Sequence, residues 1–233
     1  FLMRIIVGKM NKKIDKSTYI TNTALYTAMP LFRGLLTFLT LPILTRYLSP
    51  ANYGIISLIT MISTFGWMFC LGVNNASYRL YFKYKNDIDK LKSLLSTNLI
   101  FIVLSLIFYC FAATVFFPFL NNYFFKGQLK VIWIILALLQ FSLVYINTLN
   151  QDILRIEHEG KKWLFNELTA CFISVSLSII LVVTRIFTFE AIIVANLASE
   201  TVKFIIIYCQ LSRYFSFIFK LSFLKESLLY SWP

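Results

Sequence analysis

Residues 19–44 read YITNTALYTAMPLFRGLLTFLTLPIL, an apolar run with a single charge, Arg33, near its middle. About 20 apolar residues suffice to cross a 30 Å hydrocarbon core as a helix. Backbone groups at that depth must be hydrogen-bonded within the segment, so a run this long predicts a membrane helix. A barrel strand would be about half as long and would alternate polar with apolar residues. A guanidinium at mid-depth costs about 2.5–3.5 kcal/mol on insertion scales. Arg33 therefore needs a wet cavity, a partner or a ligand.

Outward from that run the pattern repeats. Five further spans are expected at Ile55–Asn75, Ser96–Phe117, Lys130–Asn150, Leu164–Val183 and Ala191–Leu211. Across the 233 residues, 59% are hydrophobic and 14% charged, with a mean hydropathy of +0.75. Ordinary soluble domains carry about 25% charged residues, so this composition is suited to lipid. The fold expected is all-α, a polytopic membrane bundle of six transmembrane helices. Leu224–Pro233 reads as the beginning of a seventh helix, and the chain reads as a fragment of a longer protein. Met3 and Met10 are candidate starts, and residues 1–16 lack the features of a cleavable signal peptide. Three regions result: a basic cytoplasmic N-terminus over 1–18, six spans over 19–212, and a linker with the start of a seventh helix over 213–233.

The net charge of +12 is sorted by side. With the N-terminus in the cytoplasm, the basic residues of segments 4–16, 79–92, 155–162 and 213–225 fall inside. Outside fall Arg46, Lys126, Lys130 and Arg185, while Arg33 and Lys203 lie within spans. This is the positive-inside pattern, so the excess charge is a topology signal and no nucleic-acid partner is expected.

At 100° per residue, Thr23, Tyr26, Thr27, Pro30, Arg33, Gly34, Thr37 and Thr40 share about 140° of the first helix. Threonines and a glycine suit plain helix packing, but packing does not account for Arg33. In the sixth span Asn196, Ser199, Glu200, Lys203 and Gln210 form a second stripe. Glu200 and Lys203, three residues apart, suit either a self-satisfied pair or a cavity wall. The fourth span carries Gln140, Asn147, Asn150, Gln151 and then Arg155. Carboxamides fit sugar hydroxyls, offering a donor and an acceptor each, and they also join helices. Cys70, Cys110, Cys171 and Cys209 lack metal-ligand spacing and read as buried free thiols. His158, within Glu157-His-Glu159, reads as part of a solvated turn rather than a metal site. No phosphate-binding glycine loop, nucleophile elbow or acid pair for glycosyl transfer occurs, so no enzyme, cofactor or metal is expected.

The string Leu41-Pro-Ile-Leu-Thr-Arg-Tyr-Leu-Ser-Pro50 with Tyr53-Gly54 resembles the end of the first helix in Wzx-type polysaccharide transporters. Gly72, Ala76, Arg79, Tyr81 and Phe82 resemble the stretch after that family's second helix. Arg155, Glu157, Gly160 and Lys161 sit where it places its fourth-to-fifth connection. The resemblance implies the multidrug/oligosaccharidyl-lipid/polysaccharide exporter (MATE-like) superfamily, whose members enclose a cavity between two six-helix lobes. This chain matches the N-terminal lobe, and the C-terminal lobe would be its missing partner.

The resemblance implies a bacterial inner-membrane flippase. Its cargo would be a polyprenyl-pyrophosphate-linked oligosaccharide for O-antigen, capsule or exopolysaccharide synthesis, moved by alternating access among membrane lipids. Arginine suits a pyrophosphate because its forked donors stay charged in a cavity. Arg33 is the expected anchor, with Arg79 and Arg155 meeting the cargo first and Lys203 assisting. Glu200 would tune Lys203 or accept a coupling proton, and Asn147 and Gln151 would touch sugars. The alternatives are a multidrug or cation antiporter, which usually has an acid in the first helix, and a flippase for a lipid-linked peptidoglycan precursor. A membrane glycosyltransferase or polymerase would need long carboxylate-bearing loops, and every loop here is short. A non-transporting scaffold is the remaining reading.

Overall fold

The computed structural model describes residues 16–127, 129–214 and 218–231. Most of the basic segment expected over 1–18, part of the linker at 215–217 and the end at Trp232 and Pro233 lie outside the described residues. The described residues form helices with no strand. They are α1 (Lys16–Tyr47), α2 (Pro50–Phe69), α3 (Val73–Tyr84), α4 (Ile88–Val115) and α5 (Phe117–Phe124), then α6 (Val131–Ile156), α7 (Gly160–Val183), α8 (Glu190–Leu211) and α9 (Leu221–Ser231). A short 3₁₀ turn, Ser212–Tyr214, follows α8. Six of these helices, α1, α2, α4, α6, α7 and α8, are long and apolar enough to cross a membrane. The all-α, six-span reading holds, and α9 falls on the segment read as the beginning of a further helix.

Span edges moved where capping chemistry overrides hydropathy. The second span stops at Phe69 instead of Asn75 because Leu71 (φ 49) and Gly72 (φ 69) are both left-handed and turn the chain into α3. Gly72 accepts that conformation without a Cβ penalty. The third span begins at Ile88, earlier than Ser96, because Asp87 caps it by accepting from the Lys90 amide at 3.1 Å. α1 runs unbroken through Pro30 and Pro42.

The helices α6, α7 and α8 form the packed centre, and α1 lies against α7. Two buried clusters divide the interior. One gathers Val73, Tyr81, Leu95, Ile102, Leu149, Trp163 and Ile207. The other joins Ile59, Tyr109, Ile134, Ala137 and Ile193. Gly66 permits that second contact, since a Cβ there would stand 2.7 Å from the Tyr109 ring. The loops bearing much of the basic charge meet at one end of the bundle. There Glu157 accepts from Tyr81 at 3.2 Å and from Tyr214, and Glu226 pairs with Lys83 at 2.5 Å. Glu157 is thus a packed acceptor, in contrast to the solvated charge its loop position suggests. Of the cysteines, all free, Cys70 and Cys171 are buried, Cys110 is half-buried and Cys209 is exposed, against the expectation of four buried thiols.

Candidate functional site

One spacing recurs on the facing helices. Glu167, Ala170, Cys171 and Ser174 on α7, and Asn196, Ser199, Glu200 and Lys203 on α8, each follow i, i+3, i+4, i+7, which puts each set on one helix face. Gln140, Val144 and Thr148 do the same at fourfold steps on α6. With Arg33 from α1 these residues line a polar cavity of about 200 Å³. The small residues Ala170, Ser174 and Ser199 let the backbones of α7 and α8 approach closely.

The charges in this cavity balance. Lys203 Nζ donates to Glu167 Oε1 at 2.5 Å, and Gln151 Nε2 reaches the same oxygen at 3.4 Å. Arg33 Nη1 stands 4.0 Å from the other oxygen, Glu167 Oε2. Glu200 accepts from Asn147 Nδ2 at 2.8 Å, and the same amide nitrogen bonds the Glu200 backbone carbonyl at 3.0 Å. Ser174 donates to Asn196 Oδ1 at 2.5 Å. Two cations thus face two carboxylates, so the cavity's charge is mixed. Burying an ion pair costs desolvation that mutual attraction offsets only when further hydrogen bonds complete it. Gln151 provides that completion on the Glu167 side.

Of the two readings open for Glu200 and Lys203, the structure shows the cavity wall and no mutual pair: each residue finds its partner on a neighbouring helix. Glu167 is the residue sequence reading passes over. It is the one charge in the Leu164–Val183 span, and the criterion that singles out Arg33 would have found it.

Exposure separates the two cations. The Lys203 side chain is 8% exposed and the Arg33 side chain 64%. The open face of α1 explains the difference. Thr23, Thr27, Thr37 and Thr40 bond their hydroxyls back to their own helix, and a Cβ on Gly34 would meet nothing within 4 Å. Among the described residues, none therefore comes within contact of a Cβ built on Gly34.

The other expected site residues lie elsewhere. Asn147 and Gln151 are buried behind the cavity wall, where each gives its amide hydrogen to a carboxylate. Their amide oxygens have no protein partner among the described residues. Arg155 sits at the end of the bundle carrying the α6–α7 turn, 4.9 Å from the Trp163 ring centroid and 3.3 Å from Asp152. Arg79 reaches the Tyr230 carbonyl at 3.4 Å. Arg33 and Lys203 share the cavity; Arg79 and Arg155 do not line it.

A family model described as "Polysaccharide biosynthesis protein" matches residues 43–233. The chain belongs to the polysaccharide biosynthesis protein family. The match covers α2 to α9 and, within the cavity, includes Glu167, Glu200 and Lys203. Arg33 lies outside the matched stretch. No curated protein and no solved structure gives a match. For a member of this family, the relevant geometry is a polar cavity bounded by helices of membrane length, with one exposed guanidinium at its edge.

Proposed function

We propose that this protein is a Wzx-type flippase that carries a polyprenyl-diphosphate-linked oligosaccharide across the bacterial inner membrane by alternating access. The observation that carries the reading is Arg33: an exposed guanidinium on a helix of membrane length, bordering a polar cavity, with its nearest carboxylate only at 4.0 Å. A diphosphate needs forked, permanently charged donors when it leaves water, and arginine supplies them. The remote sugars need hydroxyl and amide partners, which the lining residues Gln140, Thr148, Ser174 and Asn196 offer.

In this proposal the N-terminus is cytoplasmic, residues 19–212 form the N-terminal lobe of a two-lobe transporter, and residues 213–233 lead toward the second lobe. Substrate sites of such transporters lie between repeats near the bilayer midplane, so Arg33 faces the second lobe. Arg79 and Arg155, exposed at the basic end, meet the cargo first. Lys203 acts through Glu167, and Asn147 and Gln151 hold the two carboxylates in place. Both cavity carboxylates are already engaged, which disfavours a cationic drug as cargo.

A vesicle assay tests the reading. The full-length protein, reconstituted in liposomes, is expected to move a fluorescent prenyl-diphosphate oligosaccharide from the outer leaflet to a quencher-protected position. Protein-free rates would remove the flippase assignment.

A further inference from the structure

Glu167 has two carboxylate oxygens and serves two cations unequally. Oε1 is closed off by Lys203 at 2.5 Å with Gln151 behind it, whereas Oε2 only faces Arg33 at 4.0 Å. The carboxylate of Glu200 is bonded to Asn147, on the α6 side of the cavity. One carboxylate therefore compensates a buried ammonium fully and an exposed guanidinium partly. An arrangement of this kind holds a cation in reserve, since the loose partner can exchange its counter-ion while the tight one stays put.

We propose that Glu167 is the resident counter-ion that an anionic diphosphate displaces from Arg33, so that Glu167 sets how tightly cargo is held without touching it. The proposal rests on the flippase reading and deepens it. With no cargo present, Arg33 is drawn toward Oε2 of Glu167. Cargo phosphate oxygens outcompete that single long contact because they accept two parallel N–H bonds from the guanidinium. When cargo leaves, Glu167 recovers Arg33, which shortens the bound lifetime. Lys203 regulates the competition from behind: by occupying Oε1 it weakens the hold of Glu167 on Arg33. Glu167 is thus a positioning residue, and Lys203 tunes it.

Opposite signs for two neighbouring substitutions distinguish this role from plain scaffolding. Glu167→Gln removes the competitor and should tighten diphosphate binding roughly fivefold or more, the low end of ordinary site-to-site coupling. Lys203→Met leaves all of Glu167 to Arg33 and should weaken binding by a similar factor. The double variant Glu167→Gln/Lys203→Met restores the cavity's wild-type net charge while leaving Arg33 free. It also spares the fold an unpaired buried lysine.

Calorimetric titration of the full-length protein in nanodiscs with farnesyl diphosphate reads all four forms. The expected order is Glu167→Gln and the double variant tightest, wild type next, Lys203→Met weakest. Equal affinities in all forms would overturn the counter-ion role while leaving a diphosphate site in place. A gain in Glu167→Gln that vanishes in the double variant would overturn it too, reducing the effect to net charge. Heat signals absent from every form, wild type included, would overturn the diphosphate reading and this inference together. If Glu167→Gln does not fold, the double variant against wild type, which share the cavity's net charge, decides the matter alone: tighter binding in the double variant supports the counter-ion role and equal binding overturns it.

Discussion

Lys203 on α8 donates to Glu167 on α7 at 2.5 Å and passes over Glu200, which lies one turn away on its own helix. Glu200 in turn takes its hydrogen bond from Asn147 on α6. These two cross-helix contacts tie α6, α7 and α8 together around a polar cavity and leave Arg33 of α1 as the exposed cation at its edge.

The Lys203–Glu167 contact is mostly buried, so its halves are not separable without cost. Glu167→Gln is expected to lower unfolding stability by about 3–5 kcal/mol, because it strands the Lys203 ammonium away from water. The double variant Glu167→Gln/Lys203→Met should recover most of that loss. Thermal unfolding of the purified protein in detergent checks both, and an additive double variant would show that the two charges are not coupled.

Arg33 is expected to matter for transport and little for folding, given its exposure and its single long contact. In cells, Arg33→Ala should abolish surface polysaccharide while lipid-linked repeat units accumulate, at unchanged protein level. Loss of a charge-assisted contact worth about 1.5–3 kcal/mol weakens binding roughly 10- to 150-fold. Arg33→Lys should be partly active, since it keeps charge but loses the fork. Normal export by Arg33→Ala would reduce this residue to packing.

Gly160 opens α7 directly beneath Asn22 of α1. A Cβ there would stand 2.3 Å from Asn22 Oδ1 and 2.8 Å from its Cγ, and Asn22 is held by its 2.7 Å bond to the His158 carbonyl. Gly160→Ala should therefore destabilise by about 1–3 kcal/mol, as overpacking does. Adding Asn22→Ala should relieve the clash, so the double variant costs less than the sum of the singles. Melting temperatures of the three variants give the comparison.

Attachment of α9 to α3, outside the six long helices, should depend on pH. Burial acts to raise the Glu226 carboxyl, but hydrogen bonds from Lys83 and Tyr84 outweigh it and hold the group below its ordinary 4.5. A carboxyl with a lowered folded value stabilises fully above its unfolded value, and that contribution is lost as pH falls through the folded one. Protection of the 221–231 amides, taken relative to the intrinsic exchange rate at each pH, should thus be high at pH 7 and fall as pH drops below the ordinary carboxyl range. In Glu226→Gln the protection at pH 7 should already be reduced, and an unchanged pH profile in that variant would dismiss the contact as its cause.

Much of the fold was legible in residue order. Span number and length follow from hydropathy and from the need to satisfy every backbone group in lipid, both local properties. The polar stripes on α6 and α8 follow equally from helical periodicity. Span edges were less legible, because they turn on single residues such as Asp87 at a cap and Gly72 in a left-handed turn.

Membrane helices, their polar faces and the cost of Arg33 were thus determined by the sequence alone, since each depends only on what lies within one helix. The pairing of charges was decided by tertiary structure. Spacing allows Lys203 to meet Glu200 on its own helix or an acid on a neighbour with equal ease. Only the relative depth and rotation of α7 and α8 bring Glu167 to 2.5 Å. Arg33 changed meaning for the same reason: a lone charge in an apolar run became the loosely held member of a three-charge set once α1 was laid against α7.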